Sequence, residues 1–205
     1  MKIYAGKYQD AGQSVPTRVV LELCDSLLNA GRVIVTDNYY TSIELANKLI
    51  DKSTNLLGTL RSNRKHNPQT VLNKKPKRGT LVGQQNDRGI TVLKWAAKRD
   101  ILILSTCHGT ETVPIQRRNG NVNKPKPIVD YNKRKTATDV SDQLSSYCTP
   151  LRRSLKWYRK VAIELLLGTA VVNAHLLFCH VTGRKTTITS FRKALAKELM
   201  AAKAE

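Results

Sequence analysis

Three aspartates occupy positions at which carboxylates could bind a metal ion. Asp37 follows the apolar run Val33–Val35, and Asp139 and Asp142 are three residues apart in Thr138–Gln143. In an open α/β sheet, functional groups collect at the carboxyl ends of strands, and a spacing of three places two side chains on one helix face. Such carboxylates repel each other unless a cation lies between them, and Mg²⁺ and Mn²⁺ prefer oxygen ligands of this kind. Two such ions can promote phosphodiester cleavage.

A structural interpretation of the same aspartates is also open. An Asp-x-x-Asp pair is common at a helix start, where one acid caps the helix and the other interacts with its dipole. Asp37 could in the same way cap the turn that follows its strand. On residue types alone this capping interpretation is the more frequent one.

The elements around Asp37 predict an α/β arrangement. The spacing of apolar residues indicates a helix over Thr17–Ala30 and a buried strand at Val33–Val35. A capping-box pattern, Thr41-x-x-Glu44, starts a second helix, and Leu56–Arg61 returns as a strand. Helices alternating with strands at this spacing are typical of a parallel sheet covered by helices.

The composition changes after Arg61. Residues 62–88 are rich in Asn, Pro, Lys, Gly and Gln, and turn residues are predicted at Arg118–Gly120. Three short strands are predicted in this region, over Thr80–Gln85, Ile90–Ala97 and Ile101–Cys107. Trp95 lies in one of these alternating patterns and is expected in the core. The segment is interpreted as a basic, mostly β insertion.

Helices dominate the end of the chain. Pro127–Tyr131 is predicted as one more strand, and helices are expected from Thr136 onward. The longest helical run extends over Leu155–His180, and a final helix over about Ser190–Ala202.

The charge is high and unevenly distributed. The 205 residues hold 35 Lys and Arg against 15 Asp and Glu, a formal net charge of +20. Residues 62–125 hold 13 basic and 3 acidic residues, and residues 149–205 hold 11 and 3, whereas the remaining two segments are nearly neutral. Such a field attracts polyanions, so nucleic acid is the expected partner, with an anionic membrane surface as the competing one.

No segment is expected to span a membrane. The apolar run Ile163–Phe178 contains polar residues and is shorter than the ~20 residues that a spanning helix needs. The cysteines are isolated, without a Cys-x-x-Cys pair, which predicts reduced thiols in an intracellular protein, no disulfide framework and no zinc site. They are Cys24, Cys107, Cys148 and Cys179. The four histidines show no metal-ligand spacing, and no role is assigned to them.

Several blocks resemble one family of DNA transposases. The run Val35–Ala46 resembles the signature "DN-aromatic-aromatic-T-S-x-x-L-A" of piggyBac-family transposases and their domesticated relatives. Gly58–Arg64 is similar to that family's "G-T-x-R-x-N-R/K", and Tyr131-Asn132 with Asp139-x-x-Asp142-Gln143 to its "YN…VDxxDQ" block. Further matches occur in family order, at Ile3–Lys7, Arg152-Arg153, Lys156-Trp157 and Val172–Ala174.

The resemblance implies a fold and a domain order. It implies a partial RNase H-like core of α/β class with a mostly β insertion, followed by a helical segment. The core comprises residues 1–61, without its initial strands, and residues 126–148, with the last strand and the acidic helix. The insertion is 62–125, and 149–205 is a helical segment for DNA binding and dimerisation.

The resemblance also implies roles for the aspartates. Asp37 corresponds to the family's second catalytic aspartate, Asp139 to the third, and Asp142 to a further acidic residue beside it, all serving Mg²⁺ or Mn²⁺. The family's first catalytic aspartate lies upstream of the point where this chain starts, which would leave the chain catalytically incomplete and one sheet edge unpaired. The sequence departs from the family at Thr136–Thr138, where Gly-rich residues are usual.

These inferences lead to one main hypothesis. The chain is interpreted as a fragment of a piggyBac-like transposase. The family cleaves DNA and transfers strands in cut-and-paste transposition, and the fragment by itself is expected to be inactive. The alternative is a non-catalytic, domesticated or relic DNA-binding protein, and a third, suggested by charge alone, is an RNA-binding protein. The expected partners are transposon ends, target DNA and a second copy of the chain, in the nucleus.

Basic residues in three parts of the chain are candidates for contacts with DNA or for a nuclear-import signal. Lys and Arg that neutralise phosphates would make binding strongly salt-dependent, and Trp157 could stack on an exposed base or instead anchor its helix to the core. A short basic run resembles a nuclear-import signal or a DNA-contacting loop. The DNA-binding candidates are Arg61, Arg64, Lys65, Arg152, Arg153, Lys156, Trp157, Arg159 and Lys160, and the import signal is Lys74, Lys75, Lys77 and Arg78.

Overall fold

The structure, a computed structural model, describes residues 12–117, 120–147, 149–151, 153 and 156–202. The chain divides into two compact units, residues 1–135 and residues 136–205. Several predicted features lie outside the described residues: the Ile3–Lys7 block, the turn residues Arg118 and Asn119, Cys148 and Arg152. The helices are α1 (Val15–Leu23), α2 (Ile43–Ile50), α3 (Gln69–Leu72), α4 (Lys126–Ser146), α5 (Trp157–Ile163), α6 (Ala170–Thr182) and α7 (Ile188–Ala201).

The first unit is built on a five-stranded sheet. Its strands are β1 (Val33–Thr36), β2 (Asn55–Thr59), β3 (Leu81–Gln85), β4 (Thr91–Ala96) and β5 (Asp100–Ser105), in the order β1-β2-β5-β4-β3. Only β1 and β2 are parallel, because α2 forms the crossover between them, and the other neighbours are antiparallel. The α/β class is confirmed, with the parallel arrangement confined to this first pair.

Apolar side chains fill both faces of this sheet. One cluster joins α1, α2 and α3 to the sheet and includes Val20, Leu45, Leu49 and Val71, all buried. The other contains Leu57, Leu93, Trp95 and Ile103 with Ile128 of α4. Trp95 is therefore a core residue, as predicted.

The strands of the predicted insertion continue the sheet. Residue Leu104 of β5 pairs with Gly58 of β2, so the change of composition after Arg61 does not interrupt the hydrogen-bonded ladder. Two further strands, β6 (Thr112–Arg117) and β7 (Gly120–Pro125), form a separate antiparallel hairpin. The region is β-rich as expected, and its first three strands share the core of the unit.

Two predicted helix boundaries are corrected. The helix predicted over Thr17–Ala30 ends at Leu23 and is followed by a 3₁₀ turn. The end of the predicted segment instead bonds to the loop after α2, because the backbone N–H groups of Asn29 and Gly31 donate to the carbonyl oxygens of Lys52 and Ser53 at 3.0 and 3.1 Å. The cap of α2 is Ser42 rather than Thr41.

The predicted strand at Pro127–Tyr131 is wrong. These residues form the first turns of α4, which runs without interruption from Lys126 to Ser146. Proline suits this position because an N–H in the first turn of a helix has no intrahelical acceptor. The apolar run predicted a strand, but its buried residues are the adjacent Pro127 and Ile128, and Val129–Tyr131 are partly buried. Two adjacent buried residues do not follow the alternation of a half-buried strand.

The second unit contains a long apolar helix. The run Trp157–Thr182, which includes a π-helical turn at Glu164–Thr169, has 26 residues and a mean hydropathy of 1.8 in its most apolar window, of which 17% is buried. By length and composition alone it could cross a membrane. The expectation that no segment could do so is wrong, because the helix extends beyond Ile163–Phe178 at both ends. Phe191 of α7 packs on Phe178, with ring centroids 5.5 Å apart.

Candidate metal centre and nucleic-acid interface

Asp37 lies directly after β1, on an exposed turn. Its Oδ1 accepts hydrogen bonds from the backbone N–H groups of Tyr39 at 3.0 Å and Tyr40 at 3.3 Å. The capping role proposed for Asp37 is therefore correct for one carboxylate oxygen. Within the described residues, Oδ2 has no hydrogen-bond partner, so it remains available to a ligand.

A buried contact between β1, β2 and the start of α2 holds this turn. Thr36 and Thr41 share a hydrogen bond between their hydroxyl oxygens, 2.8 Å apart, and the Thr41 hydroxyl also donates to the Asp37 carbonyl at 2.7 Å. Gly58 lies opposite Thr36 in the parallel ladder. A Cβ at Gly58 would lie 2.5 Å from the Thr36 carbonyl oxygen and would overlap the Thr41 hydroxyl. The absence of a side chain at Gly58 is thus a steric requirement of the Asp37 turn.

Arginine side chains from the segment after β2 bind the same turn. Arg61 Nε donates to Asn38 Oδ1 at 3.1 Å, and its guanidinium lies 5.7 Å from the centre of the Tyr39 ring. Arg64 donates to the Tyr39 carbonyl oxygen. Asn67 fixes the segment by donating to the Arg61 carbonyl at 2.8 Å. Two of the predicted DNA-binding residues are therefore placed beside Asp37, where they add positive charge.

An open cleft of about 680 Å³ lies beside this turn. The N-terminal ends of α1 and α2 contribute Ser14 and Ser42, and the segment after β2 contributes Arg64, Lys65 and His66. Sequence analysis identified Arg64 and Lys65 but not the cleft. The signal for it was weak, because Ser14 and Ser42 are separated by 28 positions and each is an ordinary helix-capping residue type.

Asp139 and Asp142 lie in the interior of α4 and are exposed. Since α4 begins at Lys126, the alternative that this pair caps a helix start is wrong. Neither carboxylate has a hydrogen-bond or ion-pair partner in the part of the chain that the structure describes. Two exposed carboxylates on one helix face, without a neutralising side chain, suit a hard divalent cation.

The three aspartates are divided between the two compact units. Among residues 12–117, 120–147, 149–151, 153 and 156–202, no group of three His, Cys, Asp or Glu side chains is arranged to hold a metal ion. Asp37 belongs to the first unit, and Asp139 and Asp142 belong to the second. Their side chains fit the Mg²⁺ or Mn²⁺ ion that the family resemblance implies, because each aspartate offers exposed carboxylate oxygens.

The second basic group lies at the start of α5. Trp157 is 58% exposed and stacks edge to face with Tyr158, with ring centroids 6.3 Å apart. This exposure contradicts the alternative in which Trp157 anchors its helix in the core. Arg153, Lys156, Arg159 and Lys160 are also exposed.

The predicted import signal forms an exposed loop before β3. Lys94 of β4 holds one end of it, because its Nζ donates to the carbonyl oxygens of Leu72 at 3.0 Å and Lys74 at 2.8 Å. The side chains of Lys74, Lys75, Lys77 and Arg78 are exposed. The loop is therefore accessible but tethered to the sheet.

Comparison with known proteins assigns the family. Residues 1–175 match the family model described as Transposase IS4. A solved structure, that of a piggyBac transposase synaptic complex with hairpin DNA, is similar with a TM-score of 0.74 and 26% sequence identity. The match covers 91% of this chain and 40% of that chain, so the present chain spans less than half the length of that transposase. The protein thus belongs to this transposase family, and it is of the piggyBac type.

Proposed function

We propose that this chain is part of a DNA transposase whose reaction is divalent-metal-dependent cleavage and strand transfer. The observation that carries the proposal is the turn after β1. It presents one free oxygen of Asp37, is fixed by buried hydroxyls, and has two arginines bound to its backbone and side chains. Phosphodiester cleavage requires a carboxylate that binds a metal ion and a nearby cation that binds phosphate, and the turn carries both.

Each group has a distinct task in this proposal. Asp37, Asp139 and Asp142 would hold Mg²⁺ or Mn²⁺, which when bound would activate the attacking oxygen and stabilise the leaving one. Asp37 Oδ1 accepts hydrogen bonds from the Tyr39 and Tyr40 N–H groups, so Oδ2 is the oxygen that would be free to hold the cation. Arg61 and Arg64 retain free N–H groups after their bonds to the turn, and these bind DNA phosphate.

DNA is the proposed partner of both basic regions. The similar solved protein is described in a complex with hairpin DNA, and a net charge of +20 favours a polyanion. The exposed Trp157 among Lys156, Arg159 and Lys160 suits base stacking beside phosphate contacts. A homodimer and import into the nucleus through the Lys74–Arg78 loop complete the proposal.

The alternative function is a non-catalytic DNA-binding protein. It is favoured by the formal net charge of +20, which attracts DNA whether or not a metal site is complete. Under this alternative the arginines and lysines bind DNA, and the aspartates have no catalytic task.

The two functions differ in one experiment. A longer protein, containing this chain together with the preceding part of the core, is incubated with DNA that carries transposon ends in Mg²⁺, Mn²⁺ or EDTA. We expect nicking in either metal, none in EDTA, and none after Asp139→Ala. Nicking that survives Asp139→Ala would refute the site, and DNA binding without nicking in either metal would establish the alternative.

The arginines at the turn are expected to contribute to DNA binding by this chain alone. Arg61→Ala and Arg64→Ala should each reduce the slope of log Kd against log salt concentration by about 0.9, the value for one lost phosphate contact on duplex DNA. Fluorescence anisotropy with a short duplex at several salt concentrations measures the slope.

Arg99→Ala is the matched control for these variants. Arg99 is exposed on the turn between β4 and β5, and its removal changes the net charge by the same amount. An equal loss of slope in all three variants would show that the whole charge of the protein, and not the Asp37 turn, determines binding.

A further inference from the structure

An exposed cysteine lies beside a buried histidine at the end of β5. Cys107 is exposed, and its Sγ lies 3.3 Å from His108 Nδ1. On the other side of the ring, His108 Nε2 lies 3.0 Å from Asp130 Oδ2, and the His108 side chain is only 8% exposed. All three residues belong to the first unit. A thiol, an imidazole and a carboxylate in this order are a nucleophile, its base and the group that orients the base.

The hydrogen bonds of His108 leave one ring nitrogen able to accept a proton. A carboxylate accepts only, so Nε2 carries the hydrogen and donates it to Asp130, and Nδ1 is the acceptor. A proton that moves from Cys107 Sγ to Nδ1 creates an imidazolium between a thiolate and the Asp130 carboxylate, and both negative charges stabilise it. Lys133 is 73% exposed and its Nζ is 4.0 Å from Asp130 Oδ1, so it neutralises little of that charge.

A buried serine supplies a further hydrogen bond to this group. Ser105, 1% exposed, accepts from the backbone N–H groups of Cys107 at 3.3 Å and His108 at 3.1 Å. Its hydroxyl therefore donates, either to His108 Nδ1 at 2.8 Å or, once Nδ1 carries a proton, to Cys107 Sγ at 3.7 Å. Since both backbone N–H groups bond to Ser105, they are not free to bind an oxyanion, and acyl transfer is not the chemistry that this thiol suits.

The other described cysteines lack this combination. Cys179 Sγ lies 3.4 Å from His175 Nε2, but that nitrogen donates to the Thr186 carbonyl oxygen at 2.9 Å. A carbonyl oxygen accepts only, so His175 Nε2 already carries a hydrogen and cannot take the proton of the Cys179 thiol. Burial raises the pKa of the Cys24 thiol. Among the described cysteines, Cys107 alone is both exposed and in contact with a proton acceptor.

We propose that Cys107 is a modification site, a nucleophilic thiol that is activated by His108 and Asp130 and reacts with hydrogen peroxide. The sulfur attacks one peroxide oxygen, so that an S–O bond forms and the O–O bond breaks. The sulfur is oxidised to the sulfenic acid and the peroxide is reduced. The hydroxide that leaves takes the proton held on His108 Nδ1, and water is released. This reaction is separate from the function proposed above and needs neither DNA nor a metal ion.

The first test measures the rate at which iodoacetamide alkylates each cysteine of this chain at pH 7, by peptide mass spectrometry. An ordinary thiol is ionised to only a few per cent at this pH, so a base that removes its proton speeds the reaction. We expect His108→Gln to slow alkylation of Cys107 by on the order of tenfold. Asp130→Asn keeps an acceptor for Nε2–H but not the charge, and should slow it by about threefold.

The controls are the other cysteines and the pH profile. Alkylation of Cys24 and Cys179 should stay within about twofold of the native rate in both variants, because neither thiol contacts His108. Between pH 7 and 9 the native rate at Cys107 should change little, whereas in His108→Gln it should rise by about tenfold per pH unit until the thiol is ionised. If His108→Gln does not fold, labelling of Cys24 becomes faster, and Asp130→Asn with the native pH profile then decides.

The second test treats the chain with hydrogen peroxide and traps sulfenic acid with dimedone. We expect the adduct at Cys107 to form on the order of tenfold faster than at Cys179, and His108→Gln to remove this difference. Equal alkylation of Cys107 in the native protein and both variants, or a native rate that follows the pH profile of an ordinary thiol, would overturn the activation. Fast alkylation without a dimedone adduct would overturn the reaction with peroxide.

Discussion

Replacing Asp37 by asparagine is expected to abolish metal-dependent nicking by the longer protein, with a loss on the order of 10³-fold or more. A metal ion contributes several kcal/mol of transition-state stabilisation, and each 1.36 kcal/mol corresponds to a factor of ten in rate. Asparagine retains the oxygen that accepts from the Tyr39 and Tyr40 N–H groups, so the turn itself should persist. The substitution removes the negative charge that would bind the cation.

The measurement is a single-turnover nicking assay in Mg²⁺ and in Mn²⁺, with circular dichroism and DNA affinity as tests of folding. Asp87→Asn is the matched control, because Asp87 is exposed on the turn between β3 and β4 and makes the same change of charge. Unchanged nicking by Asp37→Asn would remove Asp37 from the metal site. Equal losses in both variants would indicate a general effect of charge.

Gly58→Ala is expected to destabilise the first unit by about 3 kcal/mol, the upper range for overpacking a tight contact. The new methyl group would occupy the space of the Thr41 hydroxyl and lie 2.5 Å from the Thr36 carbonyl oxygen. Neither neighbour can move freely, since Thr41 is fully buried and the Thr36 carbonyl belongs to the β1 backbone. The same change should separate the two threonine hydroxyls and release the Asp37 turn.

Urea denaturation followed by tryptophan fluorescence gives the free energy of unfolding, with buried Trp95 reporting on the sheet. Gly109→Ala is the control, because a Cβ there has only Glu111 Oε1 within 4 Å, at 3.9 Å. We expect Gly109→Ala to change stability by less than about 0.5 kcal/mol. If Gly58→Ala is as stable as this control, the close packing of β2 against the Asp37 turn does not constrain the fold.

Local patterns in the sequence were sufficient for the elements around Asp37. The apolar run before it became β1, the helix after it became α2, and the next run became β2. Periodicity works here because each element buries one regular set of apolar residues. The ordered motifs also identified the family, which the match over residues 1–175 confirms.

Local patterns gave the wrong result where a short segment was compatible with both a strand and a helix, or where only part of an element was considered. Pro127–Tyr131 reads as a short apolar strand, and only the packing of Ile128 against the sheet shows that it is the start of α4. The helix predicted over Leu155–His180 agrees with the observed run Trp157–Thr182, but the membrane argument considered only its apolar window Ile163–Phe178, which is too short. Short windows do not record how far an element continues.

The sequence by itself determined the residue types for the chemistry: carboxylates at Asp37, Asp139 and Asp142, and a strong excess of positive charge. Only the tertiary structure decided which residues distant in the sequence contact one another. Gly58, Thr36 and Thr41 meet through the parallel ladder, and His108 meets Asp130 through the packing of α4 on β5. The physical reason is that hydrogen bonds and steric exclusion act over a few ångströms in space, between residues that the chain separates by 5 to 22 positions.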